Sequence, residues 1–486
     1  MPPSADPHHD RRWLILVVIG IAQLLVVLDV TIVNIALPSA QRELGFSDDD
    51  RQWVITAYAL AFGSLLLLGG RVGDLFGRKW TFITGLIGFA GASALGGAAQ
   101  SFGLLVAARA LQGAFGAMLA PAALSLLAIT FTDPAERGKA FGVYGAIAGA
   151  GGAFGLLLGG FLTEVLDWRW CLYVSILFAV PAAIAGLRLL HHLPAPNRPR
   201  LDIPGTVVAS SGLFALVFGL SRAETDGWGD PATLAFLGAS AVLLVAFVAL
   251  QRRVASPLLP LRVVTDRNRG GSFLAIATAG AGIFGVFLFL TFYLQTIKNM
   301  TPLETGLAFL PMNISIIMTA TLVNTRVLAR TGPRPLVPTG MLLAGLGMVL
   351  LTGIGVDTGY ASHVLPSLIL IGIGFGLVVA PSFASATLGV ARQESGAASA
   401  LVSTSQQVGG SIGTALLSTL AVSATTDYVA ANGPNLIQQA AVEGYTTAFW
   451  WAAAIFAIGA IVTGSLLRSG VNPEIVHHGA AEPVAA

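Results

Sequence analysis

Charge is scarce in this chain of 486 residues: Asp, Glu, Lys and Arg together make up 10% of it, against about 25% in an ordinary soluble domain. The deficit excludes the string of water-soluble domains that a chain of this length would otherwise form. The formal net charge is only +2, so no basic field is present to hold nucleic acid. Cysteine is rarer still. Cys171 stands alone in the sequence, which excludes an internal disulfide framework and argues against a thiolate metal site. His8, His9, His191, His192, His477 and His478 fall in tails and a linker, without the spacing of a metal site. A cleavable leader is not expected either. Arg11 and Arg12 precede an apolar run that reaches Leu37, too long for a signal h-region and without a small-x-small cleavage site, so it reads as a retained first span.

What fills the chain is apolar sequence, 55% of all residues. It falls into fourteen runs, from Trp13–Leu37 to Ala448–Leu467; the seventh, Pro204–Leu220, is the shortest. Each is close to the ~20 residues a helix needs to cross about 30 Å of hydrocarbon. The ten-residue alternation of a membrane β-barrel is missing. The 58 glycines suit helices that approach closely within a membrane. The expected class is therefore an all-α integral membrane protein with 14 transmembrane helices.

Basic residues orient such a chain, because cytoplasmic loops are rich in Lys and Arg. With the N-terminus inside and the sides alternating, the inner segments carry 20 Lys and Arg and the outer ones 5, namely Arg42, Arg51, Arg169, Arg222 and Lys298, while Arg109 lies within a span. Outer segments are acidic instead, as at Asp48, Asp49, Asp50, Glu224, Asp226 and Asp230. One misplaced span would scramble this asymmetry, so both termini are expected in the cytoplasm. The longest inner linkers, His191–Ile203 and Gln251–Ser272, bracket the seventh and eighth spans. The expected organisation is a polar tail over residues 1–12, a six-helix bundle over 13–190, linkers and two inserted spans over 191–272, a second six-helix bundle over 273–467 and a tail over 468–486. Transporters built from repeated halves hold their substrate between them near the midplane.

Ionisable groups inside spans are costly and mark functional sites. Two stand out. Asp29 lies roughly 13 Å below the outer end of the first span, and Arg109 roughly 10 Å below the same end of the fourth, at 1.5 Å per residue. At such similar depths they can neutralise each other. A desolvated carboxylate favours its protonated form and a nearby cation its ionised form. Asp29 is thus a candidate proton carrier and Arg109 the group that tunes it; the alternative is a fixed structural ion pair, or an Asp held by Thr31 and Asn34. The second half has no embedded acid. Its polar candidates are Gln295, Asn313, Asn324, Gln406 and Gln407, which either line a cavity, as Asn34 and Gln112 would in the first half, or bridge helices.

Between the second and third spans stands Gly70-Arg71-Val72-Gly73-Asp74-Leu75-Phe76-Gly77-Arg78-Lys79. Its glycines permit a tight turn, and Asp74 suits a helix N-terminus and an arginine partner. This pattern resembles the cytoplasmic signature loop of the major facilitator superfamily. Leu28-Asp29-Val30-Thr31-Ile32-Val33-Asn34-Ile35-Ala36-Leu37-Pro38 is similar to the first-span motif of that family's fourteen-span drug:proton antiporter branch. Arg109-Ala110-Leu111-Gln112-Gly113 resembles its fourth-span arginine motif, which the family links to proton transfer. Trp168-Arg169-Trp170 resembles the start of its sixth span, and Pro302-Leu303-Glu304-Thr305-Gly306 with Pro311 the start of its tenth. The antiporter motif of the fifth span keeps its glycines at Gly142, Gly151, Gly155, Gly159 and Gly160, but Leu156 stands where the motif has proline. A proline there would kink the helix.

The resemblance implies two six-helix bundles rocking in alternating access, and export of small amphipathic molecules (drugs, antibiotics or an endogenous metabolite) driven by inward proton flow. It implies no cofactor beyond the proton gradient, and a monomer in membrane lipid. A high Ala and Gly content points to a bacterial plasma membrane. A facilitator or importer of a small nutrient is the alternative; a membrane enzyme or sensor would show clustered reactive groups or a soluble domain, and neither is visible. Gly149-Ala150-Gly151-Gly152 and Gly372-Ile373-Gly374-Phe375-Gly376 lack the preceding strand and Lys-Ser pair of a nucleotide loop.

Overall fold

A hydrocarbon slab offers the backbone no hydrogen-bonding partners, so each span must satisfy its own as a helix. The computed structural model describes residues 11–46, 48–190, 202–254, 257–323, 327–391 and 394–468, and it contains no strand among them. The linker over 191–201 and the tail residues 1–10 and 469–486 lie outside the described residues. Six long helices come first: α1 (Arg12–Leu44), α2 (Asp48–Phe76), α3 (Arg78–Gly97), α4 (Phe102–Thr130), α5 (Pro134–Val165) and α6 (Trp170–Leu189). A pair follows, α7 (Ile203–Thr225) and α8 (Pro231–Gln251), then the short α9 (Leu261–Thr265). The last group is α10 (Arg267–Phe292), α11 (Pro302–Ala308), α12 (Leu310–Leu322), α13 (Leu328–Thr331), α14 (Pro333–Leu351), α15 (Leu365–Thr387), α16 (Ser395–Asn432) and α17 (Ile437–Leu466).

Among the described residues, 13 helical stretches are long and apolar enough to cross a membrane. The 32-residue α5, with its apolar Phe154–Val165, occupies the place of the fifth span, so the arrangement is consistent with the expected fourteen. The tenth span is two pieces, α11 and α12, that meet at Phe309.

Polar residues mark where the helices start. Asp202 accepts from the Gly205 amide at 2.9 Å and Asp230 from the Thr233 amide at 2.9 Å, the latter bond holding the Asp230 carboxyl below its ordinary range. Thr301 and Glu304 form a reciprocal capping box on α11, satisfying amides that the helix leaves unpaired.

The starts of α1, α5 and α10 and the end of α17 lie at one end of the molecule. Arg12 pairs with Glu136 at 2.6 Å, Arg267 donates to the Ser465 carbonyl at 2.8 Å, and Asn268 accepts from the Arg468 amide at 2.8 Å. This is the end that carries most of the basic residues, and it is called the basic end below. At the other end the Trp168-Arg169 motif ties α6 to α1: Trp168 Nε1 donates to Glu43 at 2.6 Å, and Arg169 pairs with Glu43 at 3.1 Å and donates to the Ala99 carbonyl.

Within the first group α1 packs on α5 and α6, and α4 on α2 and α3; within the last, α10 packs on α16 and α17, and α15 on α12 and α14. The groups meet where α2 lies on α16 and α5 on α12 and α15. The pair α7–α8 flanks this seam, with α7 against both α2 and α16. On α8, Leu234, Val242, Val245 and Val248 face outward, the surface a lipid environment favours.

The seam is tight at Gly70, where an added Cβ would stand 2.5 Å from Ala400 Cβ and 2.6 Å from the Gly396 carbonyl oxygen. Overpacking of this kind costs about 1–3 kcal/mol. Gly70→Val is expected to wedge α2 from α16, lowering the unfolding temperature and exposing Ala398, which is fully buried. Maleimide labelling of an Ala398→Cys reporter measures this, against a low background because Cys171 is buried. Unchanged labelling would show that Gly70 does not set the seam.

Candidate functional site

An isolated charge is intolerable at the depth of Asp29 or Arg109, and the fold brings the two together. Arg109 Nη1 on α4 donates to Asp29 Oδ2 on α1 at 2.6 Å, with 1% and 0% of the two residues exposed. Gln112, one turn along α4, completes the set. Its Oε1 accepts from Arg109 Nη1 at 2.9 Å, and its Nε2 donates to Asp29 Oδ1 at 2.9 Å and to Ser93 Oγ on α3 at 2.8 Å. Arg109 Nε donates to the Val54 carbonyl at 3.1 Å, and the guanidinium lies 4.6 Å from the centre of the Tyr58 ring on α2. Both carboxylate oxygens are therefore paired, and the cation is held by a carbonyl and an aromatic face. Gln112, expected at a cavity wall, instead sits inside this network, because its amide is what bridges Asp29 to Ser93.

A separate cavity of about 100 Å³ lies between the two groups. Helix α1 contributes Gln23, Val26, Val27, Val30 and Thr31. The helical period sets Asp29 off that face, and the ion pair lies behind the wall. Aromatic surface comes from Phe62 on α2, Phe284 and Phe287 on α10, and Phe383 on α15. The polar groups are Gln23 and Thr31, Tyr144 on α5, and Ser403, Gln406 and Gln407 on α16. The Tyr144 hydroxyl donates to Gln23 Oε1 at 2.7 Å. Phe62 stacks on Tyr58 at 5.5 Å with an interplanar angle of 10°, so a line of contact runs from the cavity through Phe62 and Tyr58 to Arg109 and Asp29.

Of the cavity candidates on the last group, Gln406 and Gln407 reach the wall. Gln295 lies in a π-helical turn, Tyr293–Ile297, at the far end of α10. Asn313 donates from Nδ2 to the Phe309 carbonyl at 3.0 Å, serving the break between α11 and α12. The side chain of Asn34 and the whole of Asn324 lie outside the described residues. Gln23, Tyr144, Ser403, Tyr58 and Ser93 were not foreseen. Gln23, an amide inside an apolar run, carried a legible signal; hydroxyls in such runs carry almost none.

The signature segment is mostly helix rather than loop. Residues 70–76 complete α2, and the turn is confined to Gly77, whose φ of 94° belongs to the left-handed region that glycine tolerates. Gly70 serves helix approach instead, whereas a Cβ added at Gly73 would meet only Thr81, at 4.0 Å. Asp74 does meet a helix N-terminus, but that of α16 in the other group: its Oδ1 accepts from the Gly396 amide at 3.2 Å and from Arg78 at 3.2 Å. Arg71 is buried one turn earlier. The same end of the seam holds Arg137, donating to Thr387 at 2.8 Å, and the Ser125–Ser395 hydroxyl pair at 2.9 Å.

The α5 glycines face α1: Gly151 meets Val27, Gly155 meets Thr31 and Gly159 meets Ile32, while Gly160 is buried. Leu156 points elsewhere, into an apolar core of the last group with Leu290, Phe309 and Met312. A leucine in the proline position thus supplies contact across the seam while the glycine face stays intact.

The model of the Major Facilitator Superfamily matches residues 19–414. The chain belongs to that superfamily. It is 52% identical to a puromycin resistance protein of Streptomyces alboniger, over 94% of this chain and 92% of the relative. It is 37% identical to a cephamycin export protein of Amycolatopsis lactamdurans, over 83% and 84% of the two chains, and 35% identical to a tetracenomycin C resistance and export protein of Streptomyces glaucescens, over 86% and 77%. The fold is similar to those of the human organic anion transporter MFSD10 (TM-score 0.63, 17% identity, 95% of this chain and 100% of the other) and of a proton:xylose symporter (TM-score 0.66, 13% identity, 95% and 97%). As a member of the major facilitator superfamily the chain is a multi-pass membrane transporter of small molecules, not an enzyme.

Removing one partner of a buried ion pair costs about 3–5 kcal/mol, because the other charge is stranded. Arg109→Gln should destabilise the detergent-solubilised transporter by about that amount, and the double variant Asp29→Asn/Arg109→Gln should regain most of it. Thermal and denaturant unfolding measure both. A double variant no more stable than Arg109→Gln would show that the pairing is not the stabilising element.

Proposed function

We propose that this transporter exports amphipathic small molecules of the antibiotic class in exchange for protons, by alternating access. The observation that carries the reading is the placement of one buried carboxylate, Asp29, paired to Arg109 directly behind the wall of an aromatic and amide-lined cavity between the helix groups. Apolar walls with a few convergent polar groups are what a small-molecule site needs. The names of the relatives, each a resistance or export protein, support export as the direction.

In this reading the basic end is cytoplasmic, both termini lie there, and the protein works as a monomer in a bacterial plasma membrane. The moving bodies are residues 13–190 and 273–467, with 191–272 carrying the inserted pair. The contacts of Asp74, Ser125 and Arg137 across the seam close the cytoplasmic side; rocking breaks them and opens the cavity inward. Gly70, Arg71, Gly73, Asp74, Gly77 and Arg78 act as the hinge and latch of that movement, and Gly151, Gly155, Gly159 and Gly160 let α5 slide on α1.

A proton taken up from outside neutralises Asp29 and weakens its hold on Arg109. Arg109 leans on Tyr58, which stacks on Phe62 in the wall, so protonation and occupancy of the cavity influence each other. Each proton moving inward supplies about 2.3 kcal/mol per 100 mV of membrane potential.

Asp29→Asn should abolish proton-driven efflux while the protein remains folded and inserted. Proteoliposomes with an imposed pH gradient test it with puromycin as cargo, and undiminished proton counterflow in the variant would sink the coupling role. Tyr58→Phe keeps the stacked ring and should transport nearly as well as the parent, whereas Tyr58→Leu removes the ring face under Arg109 and should cut the transport rate by tenfold or more. Equal rates for the two variants would remove Tyr58 from the coupling path.

A further inference from the structure

The cavity wall carries no net charge and no unpaired ion. Its polar members are amides and hydroxyls: Gln23, Thr31, Tyr144, Ser403, Gln406 and Gln407. Among the described residues, no ionised group on the wall-forming helices lines the cavity. On α1, Asp29 is bound to Arg109 and Gln112, and Arg12 to Glu136. On α2, Asp74 and the buried Arg71 lie at the basic end of the seam, as does Arg137 on α5. Arg267 and Arg269 stand at the start of α10, α15 has no charged residue, and Asp427 on α16 lies 20 positions beyond Gln407, about 30 Å along the helix. Where side chains fall outside the described residues in the stretches beside the cavity, at Asn34, Gly149, Ala150 and Ala153, the sequence supplies no charge either.

Resting on the export reading, we infer that the cavity binds its cargo in the uncharged form: a neutral, aromatic-bearing molecule with hydrogen-bond donors and acceptors, and for an amine-containing antibiotic the deprotonated base. A cation brought into this wall would lose water without gaining a counter-ion. Asp29 is no substitute, because turning it toward the cavity would strand Arg109. The faces of Phe62, Phe284, Phe287 and Phe383 offer a cation some attraction, which offsets only part of the lost hydration, and they serve a neutral aromatic equally well by stacking. The hydrogen-bonding groups complete the match. With its hydroxyl proton given to Gln23, Tyr144 presents an oxygen acceptor, while Gln23 keeps its amide donors, and Gln406 and Gln407 add one carbonyl and one amino group each.

Ethidium, a permanent cation, and dihydroethidium, its neutral counterpart with nearly the same ring system, form the test pair. Equilibrium dialysis against the full-length transporter at pH 8 should give at least tenfold tighter binding of dihydroethidium. Puromycin should bind more tightly as pH rises through the titration of its own amine. Gln406→Glu should tighten ethidium binding about tenfold by supplying the missing counter-ion. Wild-type binding of ethidium as tight as that of dihydroethidium, or a puromycin affinity that falls as the amine loses its proton, overturns the inference while leaving export intact. Failure of the wild-type protein to move either probe or puromycin in proteoliposomes under a pH gradient overturns the export reading and the inference with it.

Discussion

A membrane interior provides neither partners for polar groups nor counter-ions for charges, and the rest of this structure answers to that constraint. The backbone meets it by closing its hydrogen bonds within long helices. Side chains meet it by pairing: Asp29, Arg109, Gln112 and Ser93 come from three helices and satisfy one another in a network closed to water. The network shows why the two ionisable residues occur at matching depths. Either alone would be expelled or neutralised; together, with an amide and a carbonyl to take the remaining bonds, they are stable.

Lipid also removes the hydrophobic drive for helix association, so close packing must replace it. Glycine does this at two helix contacts. On α5 it brings the helix against Val27, Thr31 and Ile32 of α1, and on α2 Gly70 admits Gly396 and Ala400 of α16. Hydrogen bonds then latch the α2–α16 seam at the basic end, where Asp74 uses the exposed amides of a helix start. A carboxylate at a helix N-terminus is favoured by the dipole and by the unpaired N–H groups together, and such a contact can break and re-form without chemistry. Leu156 illustrates a different solution to the same packing problem: it keeps the helix regular and contributes an apolar side chain to the opposite group.

The separation between cavity and ion pair gives the transporter two compartments with different physics. One is a neutral, adaptable surface of phenyl rings, amides and hydroxyls. The other is a rigid charged knot. The stacked rings of Phe62 and Tyr58 connect them. Phe62 belongs to the cavity wall and Tyr58 to the charged network, so a change in one can reach the other through this stack.

Apolar length, the charge asymmetry of the loops and the two embedded ions determined, from sequence alone, the helical class, the fourteen expected spans and the Asp29–Arg109 pair. These are strong one-dimensional signals, because hydrocarbon thickness fixes helix length and burial penalises each charge wherever it sits. Tertiary structure decided which face each residue occupies. Gln112 and Gln406 are alike in sequence, yet one bridges the ion pair and the other lines the cavity. Asp74 was legible as a helix-end partner, but that the helix would be α16, 322 positions away, depends on how the two groups meet. Gln23, Tyr144 and Ser403 entered the site for the same reason: in an apolar run the sequence period does not say which side faces lipid, a neighbour or a cavity, and only the packed arrangement assigns it.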